Sequence, residues 1–166
     1  MEILTIDNKK NLKFLKRRVP ETKIESLDRK ALRALIKEMR MLMKKADGVG
    51  LSANQIGLSL RLFTAEVPKG KGGAPKFYAI LNPEIFKASK ENTLLEEGCL
   101  SVPETFGSVL RSSKIIITGF DQNGRKMKLK AWGFLAKVFQ HEVDHLNGIL
   151  FIDRARVVKK IAKVKP

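Results

Sequence analysis

The segment Gln140-His141-Glu142-Val143-Asp144-His145 decides the fold, because it lies in an apolar run that predicts a helix from about Phe134 to Leu146. Residues four apart on an α-helix lie about 40° apart around its axis, so His141 and His145 project from one face. Two imidazoles on one face can bind one metal ion, and the adjacent Glu142 carboxylate can reach a water molecule beside it. The spacing therefore predicts a metal site on a central helix.

A site of this kind needs a third protein ligand, and it cannot be a histidine because the chain has only two. Carboxylates are candidates, but Cys99 is the only thiol, and it stands in the segment Glu97-Gly-Cys-Leu-Ser101. A single cysteine is by itself more often an inert part of the core than a ligand. Beside two unpaired histidines we favour Cys99 as the third ligand, which leaves a fourth tetrahedral position for water, as in catalytic sites.

The 166 residues predict a single domain with its own core. Hydrophobic residues make up 43% of the chain, which excludes a wholly disordered protein. There is no apolar run of membrane-spanning length, and the N-terminus lacks the pattern of a secretory signal. The single cysteine rules out an intrachain disulfide and fits a reducing compartment, so we expect a cytoplasmic protein with no membrane contact.

The net charge of +16 is concentrated at the two ends of the chain. Residues 1–20 carry six basic and two acidic side chains, and residues 154–166 carry six basic and no acidic ones. Such a surface attracts polyanions such as ribosomal RNA, although it also serves solubility alone. Aromatic residues make up only 7% of the chain and do not interleave with these terminal lysines, so no base-stacking platform is predicted.

Hydrophobic spacing predicts a second, amphipathic helix over residues 26–46, with Ser26 as its N-cap. Asp121-Gln-Asn-Gly124 is a hairpin signal, because Asn-Gly tolerates positive φ. Together these elements predict an α+β fold, with mostly antiparallel sheets packed around a central metal-binding helix. The predicted strands lie at 60–67, 77–82, 93–96, 114–120, 126–132 and 149–152, with a loop at 69–75.

Three segments of the chain resemble the signature motifs of the peptide deformylase family. They are Gly48-Val-Gly-Leu-Ser-Ala-Asn-Gln55, Glu97-Gly-Cys-Leu-Ser101 and Gln140-His-Glu-Val-Asp-His145, in the order and spacing of that family. The resemblance covers roughly residues 25 to 153. Ser52 stands where the family usually has alanine, a change of one oxygen atom that we expect to be tolerated.

The resemblance implies removal of the N-formyl group from the initiator methionine of nascent polypeptides, with release of formate. It implies one divalent metal on Cys99, His141 and His145, Fe(II) in the family, with zinc, nickel or cobalt able to occupy the site. Glu142 would accept a proton from water and deliver it to the departing amine. The Gln55 side-chain amide and the Leu100 backbone N–H would donate to the developing oxyanion.

Further residues are expected to contact the substrate. The Gly48 segment would pair with the peptide backbone as an added strand, and the α-helical positions before His141 would form an apolar pocket for methionine. From residue type alone, we also expect Glu97 to pair with Arg111 and brace the Cys99 loop. The expected substrate-binding residues are Gly48, Val49, Gly50, Glu97, Gly98, Phe134 and Val138.

Two alternatives remain open at this point. A small zinc peptidase uses the same His-Glu-x-x-His pattern, but it usually recruits a downstream histidine or glutamate, and here the next acid after His145 is Asp153. A non-catalytic basic module that binds RNA or the ribosome would explain the charge. We expect a monomeric catalytic domain over residues 1–153, followed by a short basic tail over 154–166 that docks on the ribosome.

Overall fold

The computed structural model describes residues 1–68 and 73–161, which form two antiparallel sheets and four α-helices. The larger sheet has the strand order β1-β2-β3-β6-β7 and the smaller one β4-β5-β8. The strands are β1 Gly50–Ser52, β2 Leu62–Val67, β3 Lys76–Ala88, β4 Asn92–Cys99, β5 Val102–Ser112, β6 Lys114–Phe120, β7 Lys126–Trp132 and β8 Val157–Lys160. The helices are α1 Lys9–Leu15, α2 Arg29–Lys45, α3 Gly133–Leu146 and α4 Phe151–Arg154. The predicted α+β architecture is confirmed.

The central helix α3 packs on one face of the larger sheet. Its Phe139 ring is fully buried, with its centroid 5.5 Å from that of Phe63 on β2 and 5.1 Å from that of Tyr78 on β3. The helix begins one residue before the predicted start and ends at Leu146, as predicted. Because its apolar side is fixed against the sheet, its polar side is fixed toward β1 and the end of β4, where the first two motifs lie.

Helix α2 covers the opposite face of the same sheet. Its buried residues pack against Leu62 and Leu81, whereas the neighbouring strand residues Phe63 and Ile80 belong to the α3 side. This division follows from the alternation of side chains along a strand. The predicted N-cap was wrong: the Asp28 carboxylate, not Ser26, accepts the backbone N–H groups of the first turn.

Other predictions of local structure need correction. Residues 149–152 do not form a strand, because the Asp153 carboxylate accepts the Leu150 N–H at 2.8 Å and starts the helical turn α4. Helix α1 and the long strand β5 were not predicted, and β3 extends well beyond 77–82. The hairpin turn at 121–124 is confirmed, with Gly124 at φ +76°.

Part of the basic C-terminal segment belongs to the smaller sheet, since Val157–Lys160 pairs with β5. Residues 162–166 of the predicted tail and 69–72 of the predicted loop lie outside the described residues. No helix in the described part of the chain is long and apolar enough to cross a bilayer.

Candidate metal centre and active site

The three predicted metal ligands meet at one point between α3 and the end of β4. The Cys99 Sγ lies 3.2 Å from His145 Nε2, which in turn lies 3.2 Å from His141 Nε2. One donor atom from each residue lies within 4.8 Å of the other two. Two elements therefore supply the set: the helical repeat aligns the two imidazoles, and the strand end brings the thiol to them.

The donor set fits a divalent metal ion. In a tetrahedral site with ordinary metal–ligand bonds, two imidazole nitrogens lie about 3.4 Å apart, and a nitrogen and a thiolate sulfur about 3.6 Å. The two observed separations of 3.2 Å are within a few tenths of an ångström of these values. Although burial raises the pKa of Cys99, the adjacent imidazoles outweigh it and hold the thiol pKa well below its ordinary value. Thiolate and imidazole are the ligands that zinc and ferrous iron accept.

A buried carboxylate fixes the orientation of His141. Glu97 accepts a hydrogen bond from His141 Nδ1 at 2.9 Å and two from Arg111, at 2.7 and 2.9 Å. Burial raises the pKa of Glu97, but these two partners outweigh it and bring the pKa down to about 2. Because Nδ1 is bonded to Glu97, the His141 ring directs Nε2 toward the donor cluster. Metal-bound histidines are commonly oriented by a carboxylate in this way.

The predicted pairing of Glu97 with Arg111 is present in this structure. Arg111 is 4% exposed and also contacts Asp144 on α3, at 2.5 Å. Asp144 is paired in addition with Arg154 of α4. This buried network ties β4, β5, α3 and α4 together directly behind the donor cluster.

The Glu142 carboxylate is held between β1 and the donor cluster. Its Oε2 accepts a 2.7 Å hydrogen bond from the Ser52 hydroxyl. Its Oε1 lies so close to Gly50 that a Cβ at that position would be 2.2 Å from it. Burial raises the pKa of Glu142 and outweighs the nearby imidazoles, which lower it. The Ser52 contact was not expected from the sequence, which indicated only a tolerated departure from the family motif.

A cavity of about 530 Å³ opens beside the donor cluster. Gln55 lies at its inner end, 2% exposed, with Nε2 donating to Ser101 Oγ at 3.0 Å and Oε1 accepting the Ser52 N–H at 2.8 Å. Phe134 is about half exposed on the opposite wall. The sequence-predicted residues that line the cavity are Gly48, Val49, Gly50, Gln55, Gly98, Cys99, Leu100, Phe134, Val138, His141 and Glu142.

One expected substrate contact lies elsewhere. Glu97 does not line the cavity: its side chain is 1% exposed and is turned toward Arg111 and His141. The side chains of a strand alternate between faces, so Glu97 points away from the cavity while the next residue, Gly98, lies on its wall. Its side-chain contacts in this structure are therefore with His141 and Arg111.

Comparison with known proteins identifies the family. The model of the family described as polypeptide deformylase matches residues 1–161. The chain belongs to the peptide deformylase family. It is therefore a metal-dependent hydrolase that removes the N-formyl group from nascent polypeptides, and neither the zinc peptidase nor the non-catalytic RNA-binding module describes its main function.

Individual relatives and solved structures support the same family assignment. A peptide deformylase of Halothermothrix orenii is 45% identical over 73% of this chain and 75% of its own length, and one of Thermotoga neapolitana is 41% identical over 88% and 83%. The crystal structure of the Thermotoga maritima peptide deformylase superposes with a TM-score of 0.80 at 38% identity, over 94% of this chain and 97% of that one. A probable peptide deformylase of Synechococcus phage S-SSM7 gives 0.82 at 36% identity, over 93% and 99%.

The cavity also has a wall that sequence reasoning missed. It comes from β5, whose Pro103, Thr105 and Phe106 face the opening. No motif marks these residues, and the buried face of β5, which includes Val102, Thr105, Gly107 and Val109, does not form a regular apolar alternation in the sequence.

Proposed function

We propose that Cys99, His141 and His145 hold one divalent metal ion and that the 530 Å³ cavity beside them receives the formylated end of a nascent chain. A divalent metal there supplies Lewis acidity, which lowers the pKa of water and polarises a carbonyl group. The observation that carries the proposal is the convergence of one thiol from the end of β4 and two imidazoles from α3 on the inner end of a cavity that also contains Glu142.

Glu142 is the group that moves protons. Its Oε2 is anchored by Ser52, so its position relative to His141 does not depend on the substrate. Its Oε1 lies beside Gly50 on the cavity wall and accepts the proton of the attacking water. After the carbon–nitrogen bond breaks, the same carboxyl returns that proton to the departing amine nitrogen of methionine. The raised pKa of this buried carboxyl suits an acid–base group that both takes and gives a proton.

Two further groups stabilise the negative charge that develops on the formyl oxygen. The Gln55 amide is held at its oxygen end by the Ser52 N–H, which leaves Nε2 directed toward Ser101 and the Cys99 sulfur, 3.0 and 3.6 Å away. The Leu100 backbone N–H follows the ligand Cys99 directly on the cavity wall. Loss of one such donor typically costs about 2.7–4 kcal/mol of transition-state stabilisation.

The remaining cavity residues bind the peptide. Val138 is 4% exposed and lies one turn before His141, and with Phe134 it forms an apolar wall suited to a methionine side chain. The backbone of 48–50 borders the opening and presents its free edge to an extended peptide, since β1 is at the edge of the larger sheet.

The native metal is proposed to be Fe(II), with zinc, nickel or cobalt able to replace it, as the family resemblance implies. A thiolate ligand and a single cysteine fit a reducing compartment, in agreement with a cytoplasmic enzyme. All proposed site residues come from one chain, so a monomer suffices for the reaction.

The test is release of formate from formyl-Met-Ala-Ser by the wild type and by Glu142→Ala, with metal content measured in both. The wild type is expected to release formate with about one metal per chain. Glu142→Ala is expected to keep that metal and lose at least about 100-fold in kcat, because general acid–base groups typically contribute 10²–10⁴-fold. Equal rates in the two proteins would contradict the proposal.

Docking of the basic C-terminal segment on the ribosome remains a proposal of the same kind. Its support is the exposure of all four residues of β8 at the edge of the smaller sheet. Co-sedimentation with ribosomes is expected to weaken in the variant Arg156→Gln/Lys159→Gln/Lys160→Gln, and unchanged co-sedimentation would contradict it.

A further inference from the structure

The larger sheet has an uncovered patch far from α2, on the face that α2 covers elsewhere. The patch, called here the lysine face, combines cations with exposed aromatic rings. Trp132 is 68% exposed and Phe86 is 62% exposed. The lysine face consists of Phe86, Lys87, Lys114, Ile116, Lys128, Lys130 and Trp132.

The register of the strands produces this combination. Along β7, exposed residues alternate with partly or fully buried ones, so the same face carries Lys126, Lys128, Lys130 and Trp132. Trp132 pairs with Lys114 on β6, and Ile116 is flanked by Lys130 on one side and Lys87 on the other. The three strands β3, β6 and β7 together contain six lysines and one acid, Glu84, so the cations are not neutralised by their neighbours.

The patch also contains a shallow groove of about 320 Å³. Its floor is apolar and includes Ile116, and its rim carries Lys87, Lys114 and Lys130 beside the Trp132 indole. Lys128 adds a fourth cation, with its Nζ 4.4 Å from the centroid of the exposed Phe86 ring. The Trp132 indole and the lysines around it can therefore stack on a flat ring and bind an anionic group of the same ligand.

We propose that the lysine face binds single-stranded RNA, with a base stacked on Trp132 and backbone phosphates held by Lys87, Lys114 and Lys130. Aromatic side chains that stack on bases, set in a cationic groove, are the general means of binding single strands. Aromatic residues do not interleave with the lysines at the two ends of the chain, but strand alternation on β7 places an indole in a row of lysines.

Charge alone would also attract an acidic protein or an anionic membrane. The exposed indole beside the groove favours a ligand with flat aromatic faces, and bases provide them. The assignment to RNA rests on the proposed function, because a chain that acts on nascent polypeptides works where RNA is the most abundant polyanion. The binding itself does not use the metal centre.

The test uses the metal-loaded full chain and an unstructured RNA 12-mer of adenosine and cytidine. Trp132 is the only tryptophan in the chain, so the tryptophan fluorescence of the protein reports on the surroundings of this one residue. We expect the RNA to quench that fluorescence with saturation. Three phosphate contacts predict that the affinity falls about 20-fold between 50 and 200 mM salt, since log K changes by about 0.7 per contact for each unit of log salt.

Matched variants locate the site, with binding followed by anisotropy of a labelled 12-mer. Lys87→Gln/Lys114→Gln/Lys130→Gln is expected to weaken binding at least about tenfold at 50 mM salt. The control Lys30→Gln/Arg33→Gln/Lys37→Gln removes the same charge from exposed positions of α2, and is expected to change the affinity less than threefold. Trp132→Ala is expected to weaken binding at least about fivefold, the lower end of one lost stacking contact. Formate release by both triple variants shows that they fold.

Three outcomes would overturn the proposal. One is RNA binding that leaves the Trp132 fluorescence unchanged. Another is equal weakening by the two triple variants, which would mean that only net charge matters. The third is tighter binding to polyglutamate, or to vesicles of phosphatidylcholine and phosphatidylserine, than to RNA. Loss of formate release in Glu142→Ala with RNA binding intact separates this proposal from the catalytic one.

Discussion

Replacement of Gly50 by alanine tests whether the position of the Glu142 carboxylate limits the reaction. The new Cβ would lie 2.2 Å from Glu142 Oε1, 2.8 Å from its Cδ and 3.1 Å from its Cγ. Ordinary contacts begin near 3.4 Å, so the carboxylate must move by more than 1 Å. The Ser52 hydroxyl, bonded to Oε2 at 2.7 Å, opposes that movement.

The expected loss follows from this displacement. A misplacement of 1 Å in a reacting group can cost about 100-fold in rate, which corresponds to about 2.7 kcal/mol in the activation free energy. We therefore expect kcat for formate release from formyl-Met-Ala-Ser to fall about 100-fold in Gly50→Ala. Metal content is expected to stay at one ion per chain, because the three atoms nearest the added Cβ all belong to Glu142 and none belongs to a proposed metal ligand.

The matched control is Gly48→Ala, in the same segment. Its Cβ would meet the Leu100 Cδ1 at 2.7 Å, and that methyl group is the end of a flexible side chain. This variant is expected to affect KM and to keep kcat within about tenfold, since no proton-transfer group is displaced. If Gly50→Ala retained kcat within threefold of the wild type, with metal bound and the fold intact, the placement of Glu142 as the proton-transfer group would be refuted.

Three other predictions concern stability and the metal. Arg111→Met removes the Arg111 ion pairs with Glu97 and Asp144, so these buried acids keep only His141 and Arg154 as partners. The free energy of unfolding in urea is expected to fall by about 3–5 kcal/mol, and a loss below 1 kcal/mol would contradict this role. The Arg40 hydrogen bond lowers the pKa of Glu66 from 4.5 to about 2. The free energy of unfolding of the wild type is therefore expected to exceed that of Glu66→Gln by about 1 kcal/mol at neutral pH, and this difference is expected to disappear as the pH falls from 4.5 toward 2. A stability difference that does not change with pH would refute this prediction. The iron-loaded enzyme is expected to lose activity in air while nickel and cobalt forms keep it, because thiolate and ferrous iron both oxidise; stable activity of the iron form in air would exclude Fe(II).

Sequence patterns predicted the centre of the molecule well. The helical repeat placed His141 and His145 on one face, and the apolar spacing gave the extent of α3 to within a residue at either end. Both depend on local periodicity, which a single sequence displays directly. The approach of Cys99 to these rings is a long-range contact, and the choice of Cys99 rested on its being the only thiol and on a family motif.

The parts that were missed have physical causes. Strand β5 carries an inward-facing Arg111, so its buried face does not read as apolar, although the residue is neutralised by Glu97 and Asp144. Helix α1 has seven residues, and its start depends on the Asn8 side chain, which accepts two backbone N–H groups. Turn α4 was taken for a strand because the local apolar run hides the capping contact of Asp153.

Ser52 shows the limit of reading a motif by residue type. The sequence indicated an extra oxygen of no consequence, yet the fold brings that hydroxyl to Glu142 Oε2. No periodicity or spacing predicts a contact across 90 positions of the chain. The cluster of lysines around Trp132 on β7 was likewise not predicted, because it forms only when the strand register places Trp132 opposite Lys114 of β6.

X-ray absorption at the zinc edge of the zinc-loaded chain measures the shared ligand set directly. We expect one sulfur scatterer at about 2.3 Å and two imidazole nitrogens at about 2.0–2.1 Å, with the sulfur signal lost in Cys99→Ser. A spectrum with no sulfur in the wild type, or with only one imidazole, would show that Cys99, His141 and His145 do not bind the same ion.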